Sequence, residues 1–185
     1  IMPEINAYYL ESPTLSNLNR IFNSGDIPFI RLSKFFESPP EASEPKLTRQ
    51  ERIGYYNRQE GSAILTDFWE SSTFIKFLED ATGLKPKLRE ANHLCYSAGD
   101  YSLLHAEESE SRRLTVAYDF TKTWEQEWGG YDLYTSPNKN PLICNRDPGS
   151  LMIVKLEKAD LSCTRYVSQT SVSIAQLDKI VYDLV

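Results

Sequence analysis

From residue 87 onward the chain is a succession of short segments rich in β-branched and aromatic residues, each closed by a turn signal. No other feature constrains its fold as much. REANHLCYS, RRLTVAYDF, GYDLYTS, SLMIVKLE, CTRYVSQ and SVSIAQL are separated by Gly-Asp, Gly-Gly, Ser-Pro-Asn and Asp-Pro-Gly. Such side chains fit a pleated, half-buried surface, and such turn residues reverse the chain. Two helices precede the strands. Ser12-Pro13 reads as cap and first helical position, Leu15, Leu18 and Phe22 repeat at helical spacing, and Gly25 closes the run. Ser71 or Ser72 likewise caps a segment in which Phe74, Phe77, Leu78 and Ala81 share a face, with Gly83 at its end. Helices followed by many short strands predict an α+β, mainly β chain: an antiparallel sandwich or barrel buttressed by helices on one side.

At 185 residues the chain can bury one sizeable core, so a single domain is expected over 1–185. Within it, residues 1–86 would be N-terminal support, 87–175 the core and 176–185 a C-terminal segment. Residues 37–62, rich in Pro, Glu, Gly and Ser, read as a mobile surface connection in which LTRQERIGYY could form a short helix.

Several function classes are excluded by bulk properties. A net charge of −6 with scattered basic residues supplies no footprint for a phosphate backbone, so no nucleic acid is expected. No apolar run reaches the roughly 20 residues that cross a bilayer, and the opening IMPEINAYYL lacks a signal-peptide layout. Cys95, Cys144 and Cys163 are odd in number, far apart and free of CxxC spacing, which argues for a reducing, intracellular and cytoplasmic setting. There is no G-x-S-x-G, P-loop or H-E-x-x-H.

One spacing does carry chemistry. His105 and Glu107 stand two apart near a predicted strand end, and strand alternation puts such a pair on one face. Taken in order, Tyr96, Gly99-Asp100, His105-x-Glu107, RRLTVAYDF, WEQEWGGYDLY and PGSLMIV resemble the core of the prolyl-hydroxylase-like branch of iron(II) and 2-oxoglutarate-dependent oxygenases. IPFIRLSKFFESPP is similar to that family's opening strand and helix entry. The resemblance implies a double-stranded β-helix (jelly-roll, cupin-like) core and a facial triad of two histidines and a carboxylate with open positions for co-substrate and oxygen. It also implies a basic residue for the far carboxylate of 2-oxoglutarate. On that pattern His105 and Glu107 are metal ligands and Tyr96 a co-substrate contact.

The second half of the pattern departs from the family. Ser162 in SCTRYV falls where the second histidine belongs, and nine residues later Ser171 in SVSIAQL falls where the arginine belongs. His93 points away from Tyr96 by strand parity. Asp160 or Cys163 are the remaining third-ligand candidates, and Arg165 is the remaining cation. Iron(II) and 2-oxoglutarate are thus implied by resemblance but poorly served by the residues present. The leading expectation is an oxygenase-fold protein without standard catalysis, binding a peptide, a protein or a small molecule on its concave face. Arg52, Tyr55, Tyr56 and Arg58 are candidates for the pocket mouth. The alternatives are an active non-heme iron hydroxylase with a non-standard ligand set, and an unrelated β-sandwich interaction domain.

Overall fold

Strand signals and turn signals cooperate here to close two antiparallel sheets around one interior. The computed structural model describes residues 2–41, 44–105 and 111–185. Its strands are β1 (Phe29–Leu32), β2 (Thr48–Arg52), β3 (Tyr56–Ser62), β4 (Pro86–Tyr96), β5 (Tyr101–Ser102), β6 (Arg113–Asp119), β7 (Asp132–Thr135), β8 (Leu142–Cys144), β9 (Leu151–Leu156), β10 (Leu161–Thr164) and β11 (Ala175–Leu184). The large sheet runs β1-β9-β6-β11-β4-β3-β2, with β5 also paired to β3, and the small sheet runs β10-β7-β8. A bridge between His105 and Ser162 brings the end of the β5 segment alongside β10. The result is a double-stranded β-helix, mainly β, with helices on one side.

Parity explains how one sheet serves two cores. Every residue of β6 is buried. Leu114, Val116 and Tyr118 pack on the helix side with Leu151, Ile153, Ile180 and Tyr182. Ala117 faces the opposite way and packs with Leu94, Tyr96, Met152, Val154 and Leu177 against the small sheet. The helix side is covered by α1 (Ser12–Phe22), a single turn α2 (Thr66–Trp69) and α3 (Ser72–Thr82). In α3 the apolar stripe Phe74, Phe77, Leu78 and Ala81 is buried, the Ser71 hydroxyl accepts from the Phe74 N–H, and Gly83 closes the helix at φ 74°. That left-handed cap favours glycine, which has no Cβ to clash. Each buried aromatic side chain here contributes about 1.5–3 kcal/mol.

Two segments differ from the sequence expectation. Residues 48–62 form the β2–β3 hairpin rather than a surface connection or a short helix. β2 (TRQER) is mostly exposed along its length, so it lacks the apolar alternation by which strands are read; the turn at Gly54, φ 82°, sets the pairing of Arg52 with Tyr56. Residues 176–185 are likewise more than a terminal segment. β11 lies between β4 and β6 at the centre of the sheet. It was hidden because Asp178 and Lys179 interrupt its apolar run, although both its faces are largely buried.

Candidate functional site

The concave face is built from the strand residues that point away from the helices. On β4 these are Leu94 and Tyr96; His93, on the opposite parity, is fully buried on the helix side, where its Nδ1 meets Asp178 at 2.8 Å. His93 is therefore no part of the pocket. Tyr96 is 1% exposed, and its hydroxyl oxygen accepts from Arg58 Nη1 at 2.9 Å. Arg58 also grips Glu60 through Nε and Nη2, at 2.7 and 2.6 Å, and lies over the Tyr56 ring at 4.3 Å. Burial alone would lower the pKa of this guanidinium, but the Tyr96 oxygen and Glu60 outweigh it and raise the value above its ordinary one.

His105 and Ser162 face each other across two backbone hydrogen bonds of 3.2 Å. Ser162, which the resemblance sets at the second-histidine position, is thus a neighbour of His105 and carries only a hydroxyl. His105 Nδ1 lies 2.6 Å from the Leu103 carbonyl oxygen, a contact that puts a proton on Nδ1. Glu107 lies outside the described residues. Beneath His105 is a cavity of about 20 Å³ lined by Tyr96, Ser102, Ser162, Thr164 and Asp132. This is room for about one water. Its Asp132 is ion-paired to Arg146 and accepts from the Thr164 hydroxyl at 2.8 Å. The Arg146 guanidinium is held above its ordinary pKa: burial opposes the charge, but Asp132 and Asp119 overcome it.

The other predicted residues separate. Cys163 reaches the cavity wall, with its thiol pKa raised by burial despite Arg165 nearby. Asp160 does not line it: its Oδ2 accepts from the Glu157 N–H at 2.8 Å in a turn. Arg165 is exposed, and Ser171 sits in the loop before β11, donating its hydroxyl to the Ser173 carbonyl at 2.8 Å. Neither lines the cavity. Lys179 is the β11 cation that reaches the cavity wall, and sequence reading missed it by ending the core at 175. Asp132 and Arg146 were also missed; an inward aspartate in GYDLYTS was the available signal.

The described residues supply only part of a site for iron(II) with 2-oxoglutarate, and Glu107 lies outside them. Among the described residues no three His, Cys, Asp or Glu side chains gather to hold a metal ion. His105 offers one imidazole, opposed by a hydroxyl that is a poorer donor for iron. A small-molecule site usually needs about 300 Å³ or more, well beyond the inner cavity. Arg146, ion-paired to Asp132, lines a separate small pocket, and the cations at the inner cavity wall are Arg58 and Lys179.

The mouth residues converge. Outside the inner cavity lies an open cleft of about 580 Å³ whose walls include Arg52, Tyr55, Tyr56, Arg58, His105 and Lys179. Arg52 lies over the Tyr55 ring at 4.2 Å, and Tyr55 meets His105 edge-on at 6.3 Å.

Comparison with known proteins agrees with this architecture. Residues 36–149 match the family model described as "Oxoglutarate and iron-dependent oxygenase degradation C-term". A prolyl-4-hydroxylase from Pseudomonas putida superposes with a TM-score of 0.66 at 10% identity, covering 92% of this chain and 99% of that one. An oxidoreductase of the 2OG-Fe(II) oxygenase family from Burkholderia pseudomallei gives 0.68 at 10% identity, covering 91% and 90%. A prolyl hydroxylase from Trichoplax adhaerens, in complex with a hypoxia inducible factor oxygen degradation domain peptide fragment, gives 0.67 at 12%, covering 97% and 94%. No curated protein sequence matches the chain significantly.

Proposed function

This chain belongs to the oxoglutarate and iron-dependent oxygenase degradation C-term family, and on that premise we propose that it has kept the oxygenase fold without standard 2-oxoglutarate-dependent catalysis. It acts instead by binding, with a peptide or protein segment on the concave face as its ligand. The observation that carries this reading is the inner cavity. At about 20 Å³, with the Ser162 hydroxyl opposite His105, it lacks the volume for a dicarboxylate. The open cleft above it has the size the inner cavity lacks. A peptide on the Trichoplax relative supports a peptide-like ligand here. No helix of the described residues is long and apolar enough to cross a membrane, and the three cysteines are free and buried, which accords with a reducing compartment.

The test is calorimetric titration of metal-free protein with iron(II) under anaerobic conditions, with and without 2-oxoglutarate, alongside His105→Ala. The expected result is no saturable heat up to millimolar iron. One-to-one binding that His105→Ala abolishes would overturn the reading.

A further inference from the structure

We propose that the outer cleft recognises an extended acidic peptide, an inference that rests on the binding reading above and names its partner class. The first ground is charge. Among the described residues the cleft is lined by Arg52, Arg58, Arg89 and Lys179 against Glu60 and Glu90, four basic to two acidic, with Arg89 also meeting Asp183 at 3.2 Å behind the wall. The whole chain has the reverse balance, 20 basic to 26 acidic. A locally positive strip on a negative protein attracts carboxylates there and repels them elsewhere.

The second ground is geometry. Arg52 and Arg58 each lie over a tyrosine ring, at 4.2 Å over Tyr55 and 4.3 Å over Tyr56, a cation–π contact that restricts each guanidinium before anything binds. Arg58 is further held by Glu60 and Tyr96. A preorganised arginine loses less side-chain freedom on meeting a carboxylate than a mobile lysine does. The third ground is shape. Arg52 and Tyr56 are register partners on neighbouring strands, and Lys179 lies two strands further across the sheet from β3. The cations therefore form a strip across the sheet, suited to an extended segment rather than to a compact anion. A single-stranded nucleic acid could also use tyrosines and arginines on a sheet face, but it needs open aromatic faces for its bases to stack on, and here Arg52 lies over the Tyr55 ring and Arg58 over the Tyr56 ring.

The experiment is fluorescence anisotropy with a labelled ten-residue peptide of alternating aspartate and alanine. Controls are the asparagine–alanine and lysine–alanine peptides and a ten-nucleotide uridine oligomer. The acidic peptide is expected to bind alone, and to weaken by about tenfold when salt rises from low to several hundred millimolar. Combined Arg52→Gln and Arg89→Gln, both at exposed or half-exposed positions, should weaken it about tenfold, whereas Glu90→Gln should tighten it about two- to threefold. Equal binding of the asparagine peptide, preference for the uridine oligomer, indifference to these substitutions, or no binding up to millimolar protein would each overturn the proposal. Iron titration separates the two readings: silent iron with no peptide binding removes only the acidic partner, whereas saturable iron binding removes the non-catalytic reading whatever the peptide does.

Discussion

The chain has two histidines, one on each side of the same sheet, and their surroundings are opposites. His93 belongs to a buried knot in which Asp178, fully buried, accepts from the Ile64 and Leu65 N–H groups and Trp69 Nε1 at 2.9 Å and meets His93 Nδ1 at 2.8 Å. That knot ties β4 and β11 to α2. His105 sits at the rim of a barrel interior whose polar groups are less completely matched. Buried side-chain atoms without a partner include Thr115 Oγ1, Arg31 Nε and Arg146 Nε, which parity and pocket geometry place on the barrel side or at its foot. Native interiors rarely leave such atoms orphaned. The helix side has been optimised as structure. The barrel side carries the polar residues that line the inner cavity, Ser102, Asp132, Ser162 and Thr164.

The largest expected effect falls on the helix side. Asp178→Ala removes one acceptor and strands four donors, and should cost about 3–5 kcal/mol in urea unfolding. His105→Ala should cost less than about 1 kcal/mol, as a half-buried residue outside the apolar cores. Equal losses would erase the distinction between the two histidines. Restoring the family residue gives the next effect. Ser162→His forces an imidazole into about 20 Å³ of space, and overpacking of this kind costs about 1–3 kcal/mol. The variant should still show no saturable iron(II) binding by calorimetry; acquiring it would mean that a single residue separates this chain from a metal centre.

High pH probes both sides at once. Burial, reinforced by Asp100 and Asp178, pushes the Cys95 thiol up to about 12; burial and Asp132 do the same to Cys144, and burial and Asp119 to the Tyr118 hydroxyl. In the unfolded chain these groups lose their protons nearer 9 for the thiols and 10 for the phenol. Between those values the folded state binds more protons than the unfolded state, so stability falls as pH rises. Their contribution is complete below about pH 9, and each buried thiol should forfeit about 1 kcal/mol per pH unit above it. Urea midpoints at pH 8 and pH 10 for the wild type and Cys144→Ala would show the slope and the barrel-side share of it. A flat profile would mean that neither interior excludes the ionised form.

Much of this was legible beforehand because it rests on local rules. The α3 stripe, its Ser71 and Gly83 caps, and the strands around Tyr96, Val116 and Ile153 follow from periodicity and turn chemistry. Order and spacing along the chain named His105 and Ser162 as candidates, and a bridge sets the two side by side. What escaped were features fixed only by three-dimensional neighbours. β2 has a polar surface on an edge strand, β11 carries Asp178 and Lys179 because a specific knot and a specific cavity receive them, and Arg146 becomes a site residue only when β7 brings Asp132 to it. Charged residues inside strands carry no periodic signature, since the partner that permits each one lies far away in sequence.

The smallest effect separates two roles for Tyr96. If it belongs to the architecture of the cleft, its hydroxyl serves Arg58 and nothing else. Tyr96→Phe keeps the ring in the barrel core and removes one acceptor, leaving Arg58 with Glu60 on two nitrogens and the Tyr56 ring beneath it. The cost should be about 1 kcal/mol, the usual net worth of one hydrogen bond, read from urea unfolding. Affinity for the acidic peptide should then change by less than about twofold, because the guanidinium stays where Glu60 and Tyr56 hold it. A tenfold loss without a matching loss of stability would make the Tyr96 hydroxyl a direct ligand contact, joining the inner cavity to the outer cleft as one binding surface.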